Sequence, residues 1–171
     1  MIVKNINDLA SYELELLYKT LDFTGTIEEK NDKVVYFGIC TEYKKIHQEY
    51  SKLAKKNLEA LKRGIFILWY ALTEPSCYTG IGILDLAAEK HILRILDRRL
   101  KEKITDYELE WMLDYYSNWD FVFESFKEFE YVQQRMKATE KTELPDRIDR
   151  NHMSTRGQMG RYWNSLNRFK K

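Results

Sequence analysis

Apolar positions recur at steps of three and four along most of the chain, and the clearest run lies between Thr41 and Thr73. Tyr43, Ile46, Tyr50, Ala54, Leu58, Leu61, Ile65, Leu68 and Leu72 follow one another at those steps. That is the spacing of one face of an α-helix. No proline interrupts them, and Gly64 costs such a helix about 1 kcal/mol relative to alanine. The pattern predicts one long helix from Thr41 to Thr73, with a bend allowed near Asn57 or Gly64. At 1.5 Å per residue it would be roughly 50 Å long, a spine for shorter helices. Its end, Gly64 to Leu72, is the most apolar run in the sequence. It is far shorter than the ~20 residues a membrane helix needs. Glu74-Pro75 stops the helix, and Gly80 and Gly82 make a turn after it.

The rest of the chain also reads as helix. Asn7 or Asp8 caps a first helix running to about Thr20, with Leu9, Leu14, Leu16, Leu17 and Leu21 as its apolar face. Asp22 to Lys33 reads as a loop, because Gly25 and Asn31-Asp32 are turn residues. Val34 to Ile39 has strand composition but no second strand to pair with, so it is expected to be an extended or helix-entry segment. Asp85 caps a helix to about Lys103. Thr105 and Glu108 have capping-box spacing and start a helix to about Tyr116. Asn118 or Asp120 starts another to about Ala138, with Val122, Phe126, Phe129 and Met136 inward. Thr139 to Asp149 is polar, carries Pro145 and reads as a linker. Ser154 to Arg168 makes a last helix with Met159, Trp163 and Leu166 on one side.

From Asp85 to Leu144 there is neither Gly nor Pro, which argues against a β fold. The fold class is therefore all-α: a single-domain helical bundle of about six helices. Residues 1–150 form the bundle, and 151–171 are a basic helix or tail packed on it. At 171 residues the chain can bury a core without disulfides or metals. Two cysteines, Cys40 and Cys77, fit a reducing compartment and small buried or half-buried positions. The first residues have no basic segment followed by an apolar core, so the expected location is the cytoplasm, with no membrane association.

Candidate chemistry is sparse. His47, His91 and His152 lack metal-ligand spacing with each other or with cysteine, and no zinc, phosphate-loop or dinucleotide motif occurs. No cofactor is expected, and no catalytic residue is assigned. An enzyme is the second reading. Its best residue is Glu74, in a candidate pocket with Trp69, Tyr70 and Tyr78, where burial would raise a carboxyl pKa toward general-acid work. A carboxylate bonded to the loop amides after Pro75 is the commoner arrangement.

The layout of charge changes the picture more than its total, which is +1. Between Thr105 and Glu130 there are eight acidic residues and one basic residue, Lys127. Asp106, Glu110 and Asp114 are spaced i, i+4, i+8, and so are Asp120, Glu124 and Glu128. Like charges at that spacing repel on a helix, so something positive is expected opposite. Lys90, Arg94 and Arg98 form a basic stripe on the preceding helix, and the tail from Asn151 holds five cations and no acid. Internal pairing with these is one reading. The other leaves the acidic face open for a basic protein, since complementary charge speeds encounter and rejects wrong partners. A small, acidic-faced helical protein suits an inhibitor of a basic protein, as immunity proteins and antitoxins are. Aromatic content of 14%, half of it tyrosine, also suits a binding surface. Nucleic-acid binding through Arg156, Arg161, Tyr162, Trp163 and Arg168 is the third reading.

Overall fold

A computed structural model describes residues 5–137 and 144–166. Among them are ten α-helices, one 3-10 helix and no strand, so the chain is an all-α bundle. The linker expected over 139–149 falls partly outside the described residues, and so does the tail beyond 166. Residues 144–149 are non-helical.

α1 (Ile6–Leu21) starts earlier than the sequence suggested, because Asn5 caps it: its Oδ1 accepts from the Asn7 and Asp8 amides at 2.8 and 3.1 Å. Leu9, Leu16 and Leu17 are buried, whereas Leu21 is exposed. α2 (Ile27–Tyr36) occupies what read as a loop and an extended segment. Thr26 and Glu29 cap it reciprocally, each side chain bonding the other's backbone amide. That satisfies two orphan donors of the first turn. Asn31 and Asp32 sit mid-helix. Only Val34 of this helix is buried, and Gly38 at φ 69° turns the chain into the next element.

The expected Thr41–Thr73 spine is two helices, α3 (Ile39–Leu53) and α4 (Leu58–Thr73). The chain bends between them, and Asn57 takes an extended conformation and caps α4 through its Oδ1, 3.1 Å from the Ala60 amide. The break falls at Asn57, one of the two places where the sequence allows a bend, and the apolar steps continue through it, so the pattern itself does not distinguish a bend from two separate helices. Ala60 to Trp69 are all buried, polar and apolar alike. A helix covered all round is the centre of the packing. α4 lies against α3, α5 (Ser76–Thr79), α6 (Leu86–Glu102), the 3-10 helix and α10 (Gly157–Ser165). Gly64 permits this: a Cβ there would lie 2.3 Å from Ile92 Cδ1 of α6. Leu68 is fully buried, but Leu72, expected on the same stripe, is half exposed.

Asp85 caps α6 as expected, its Oδ1 accepting from the Ala88 amide at 3.0 Å. α7 (Tyr107–Tyr116) is capped by Asp106 rather than Thr105. That frees Glu108 to turn inward. The helix expected from Asn118 or Asp120 to Ala138 does not form as one element. Ser117–Phe123 is a 3-10 helix with Trp119 outside helical geometry, turns follow, and α8 (Glu130–Met136) begins later. Asp97 of α6 starts α8 from outside, accepting from the Tyr131 and Val132 amides at 2.7 and 3.0 Å. Val122, Phe126, Phe129 and Met136 are buried as expected. The tail forms α9 (Arg150–Ser154) and α10, which packs on α1 and α4. Met159 and Trp163 are buried and Leu166 is half-buried.

Candidate functional site

The carboxylates of the acidic run do not share one open face. Asp106 and Glu108 both accept from Lys62 Nζ of α4, each at 2.6 Å. Glu110 and Asp114 both meet Arg135 of α8, at 3.2 and 2.6 Å, and Asp114 is buried. Glu128 is bonded to Lys90 at 2.9 Å, which holds its carboxyl below the usual range. Glu124 is exposed. The stripe Asp120, Glu124, Glu128 has no geometric basis, since no single helix carries the three. The internal partners are Lys62, Arg135 and Lys90. Of the basic stripe, Lys90 bonds Glu128 and the Arg94 charge also reaches it, whereas Arg98 bonds Glu102 on its own helix at 2.8 Å.

The tail does contribute, through Arg156, and more deeply than its sequence suggested. This guanidinium is 1% exposed. It grips Glu59 through Nε at 2.7 Å and through Nη2, and Glu108 through Nη1 at 2.6 Å and Nη2 at 2.8 Å. Two-pronged contacts of this kind suit arginine's planar fork. Glu59 also accepts from Arg63 Nε at 2.7 Å. Arg63 continues to the Ile6 carbonyl at 3.0 Å and the Tyr50 hydroxyl at 3.3 Å. The Tyr50 hydroxyl donates to Glu13, whose other oxygen takes the Gln158 amide at 2.9 Å. One polar chain thus runs through the bundle and ties α1, α3, α4, α7 and α10 together.

Its groups respond differently to burial. Burial pushes the Glu13 carboxyl up to about 7, against hydrogen bonds from Tyr50 and Gln158 that favour the charged form. Burial would raise Glu108 as well, but the hydrogen bonds and charges of Arg156 and Lys62 win and hold it at about 2. Glu59 is lowered by the same balance of burial against Arg156 and Arg63. The four pronounced grooves described on the surface are lined by other residues. The network acts as a clasp between helices, with Glu59 and Glu108 reaching partly to the surface.

The candidate pocket around Glu74 is not assembled. Glu74 is exposed just past the end of α4, and Tyr78 is exposed on α5. Trp69 is buried and stacked on Tyr70, with Tyr115, Tyr116, Trp119 and Tyr162 packed around it. It belongs to the core. Burial, and then the Glu74 charge, push Tyr70 up to about 12. His47 is buried with neither ring nitrogen well bonded, and burial lowers it to about 4. His91 and His152 lie on other helices, α6 and α9. Among the described residues no group of three or more His, Cys, Asp or Glu could hold a metal ion. Cys77 is buried; Cys40 is half-buried, and burial raises its thiol. Of the tail residues nominated for nucleic acid, Arg161 lies over the Tyr18 ring, Tyr162 bonds Tyr115 through their hydroxyls at 2.6 Å, and Trp163 is core. Arg168 lies outside the described residues.

The surface feature that sequence reasoning missed is α2. Ile27, Val35, Tyr36 and Phe37 are exposed by 55%, 68%, 83% and 49%. Phe37 stacks on Phe23 at 5.4 Å and meets Tyr36 edge-on at 5.2 Å. Beside them is a groove of about 520 Å3 lined by Thr24, Gly25, Glu29, Asp32, Lys33 and Tyr36. The Thr26–Glu29 spacing was the available signal for this helix.

The fold and the site define a class, the all-α helical bundle with a buried ionic clasp. No protein-family model matches the chain, and neither a curated protein nor a solved structure matches it. Among the described residues no helix is long and apolar enough to cross a membrane.

Proposed function

We propose that the chain is a small cytoplasmic protein-binding module that engages a basic protein, in the manner of an inhibitor, immunity protein or antitoxin. The observation that carries this reading is the exposed apolar group at the C-terminal end of α2, Val35, Tyr36 and Phe37, with Phe37 in contact with Tyr36 and Phe23. Protein surfaces rarely leave a contiguous group of large apolar side chains in water unless it is used. Tyrosine and phenylalanine at the centre of a patch with charge around it is the composition of a protein interface. The charge near this patch is mixed: Asp22, Glu28 and Asp32 are exposed there, while Lys19 lies over the Phe37 ring at 4.8 Å and Lys33 lines the adjoining groove. Of the acidic run, Glu124 remains open and Glu128 is shared with Lys90, so these two can add attraction at a second point.

The test is co-purification with the products of adjacent genes. The wild-type chain should hold one basic product at micromolar affinity or tighter. Val35→Asp with Tyr36→Ser should weaken it by at least about tenfold, with helix content unchanged. If Glu124→Lys with Glu128→Lys weakens it and the α2 variant does not, the acidic run is the contact surface instead. If no product binds, the reading fails.

A further inference from the structure

We propose that the groove along the outer side of α6 binds an acidic amphipathic helix presented by a partner protein. The groove encloses about 420 Å3 and is lined by Lys55, His91, Arg94, Ile95, Arg99 and Ile104, with the Arg98–Glu102 ion pair at its edge. His91, Ile95, Arg98 and Glu102 follow each other at helical steps, so the groove runs along α6 for about three turns. Its near wall is Lys55, in the bend between α3 and α4, and its far end is Ile104.

Two properties select the occupant. The first is charge. Lys55, Arg94, Arg98 and Arg99 line it against one carboxylate, Glu102, which is already bonded to Arg98; Arg99 also donates to the Ile104 carbonyl at 3.4 Å, and the Arg94 charge reaches Glu128. The other carboxylate of this part of α6, Asp97, is turned away to the amides of α8. Lys55 and Arg94 are exposed, and guanidinium forks bind carboxylates in two-pronged fashion. The second is the floor. Ile95 is half-buried and Ile104 is 54% exposed, so the groove offers apolar contact between its cations. A helix with leucine-like anchors at i, i+3 and i+4 and carboxylates beside them satisfies both. Single-stranded nucleic acid fits less well, because no Phe, Tyr or Trp among the described residues lines the groove, which leaves the imidazole of His91 alone to stack a base. The groove lies on elements other than α2, so it does not depend on the α2 strip being a contact surface.

The experiment is fluorescence anisotropy of the full chain with three labelled probes. They are a short helical peptide of leucine and glutamate, an all-glutamate peptide of equal length, and single-stranded oligodeoxythymidine. Saturable binding of the leucine–glutamate peptide, at least about tenfold tighter than either other probe, is expected. Lys55→Glu with Arg94→Glu should weaken it by at least about tenfold, and Ile104→Ser should weaken it without changing the all-glutamate probe. Circular dichroism checks that the variants fold, and Arg94→Gln serves in place of the double reversal if that chain does not. Equal affinity for all three probes, tighter binding of the oligonucleotide, absence of saturable binding, or indifference to the substitutions would each overturn the proposal.

Discussion

Arg156 shows how much one side chain can decide. It is buried against two carboxylates, and removing it leaves Glu59 and Glu108 partly buried without their main partner. Breaking a buried pair from one side typically costs about 3–5 kcal/mol. Arg156→Ala should therefore lower the urea midpoint severely. Arg156→Lys should recover little, because an ammonium cannot hold both carboxylates in two-pronged contact. A loss below about 1 kcal/mol for the alanine variant would mean that water already shares the site. Glu13 adds a pH dependence of known sign. Its folded-state pKa of about 7 lies above the ordinary value of 4.5. Its share of stability is fully present below pH 4.5 and is lost as pH rises to about 7. His47 acts oppositely: lowered from 6.5 to about 4, it favours the fold above pH 6.5 and opposes it as pH falls toward 4. Unfolding curves at several pH values should therefore show Glu13→Gln removing the loss on the alkaline side while the acid side persists. Leu68→Ala, in the core, should cost about 2–5 kcal/mol, whereas Leu72→Ala should stay within about 0.5 kcal/mol.

At the scale of elements, the break at Asn57 and the close approach at Gly64 can be tested separately. Asn57→Ala removes the side-chain cap of α4 and should cost about 1 kcal/mol. Gly64→Ala would help an isolated helix by about that amount. Here it should destabilise, because its Cβ meets Ile92 Cδ1 at 2.3 Å. A rise in melting temperature for Gly64→Ala would show that the Ile92 side chain turns aside without cost. Much of this level was legible. The apolar steps located α1 and the α3–α4 run, and Asp85 gave the start of α6. The rest was hidden for physical reasons. Asn57 caps a helix without disturbing the apolar stripe, so two helices read as one. Asn31 and Asp32 resemble turn residues, but their propensity cost inside α2 is small, and Asn31 accepts from the Ser76 hydroxyl of α5 at 2.9 Å. The region after Tyr116 has helical spacing, yet its α8 is started by Asp97, a residue far away in sequence.

At the scale of the whole molecule, the question is where charge is spent. The acidic run looked unbalanced because its partners, Lys62 and Arg135, belong to helices whose neighbours the sequence does not announce. The clasp was equally hidden. Glu13 interrupts the apolar face of α1, and Lys62-Arg63 stand immediately before the most apolar run; those two features were the available signals. The proposed surface was less legible still, since α2 was not recognised as a helix. Reversing Glu124 and Glu128 to lysine should leave helix content unchanged and melting temperature within a few degrees, because exposed pairs contribute only about 0–1 kcal/mol each. With a basic partner it should slow association, most visibly at low salt, where the screening length is longer. A sharp fall in melting temperature would instead make Lys90–Glu128 a structural tie.

The clasp also joins residues very distant along the chain. Arg156 reaches Glu59 across 97 positions, and the Gln158 amide reaches Glu13 across 145. Most helical bundles assemble from near neighbours and fold fast; contacts closing such long loops slow the search. During synthesis, α1, α3, α4 and α7 emerge with Glu13, Glu59 and Glu108 in place and no guanidinium from α10 to meet them. The nascent bundle therefore stays open at its centre until the last helix arrives. Truncation before Arg156 should leave a loosely packed chain prone to degradation, the result expected if the arrival of α10 is the step that commits the described bundle to its folded state.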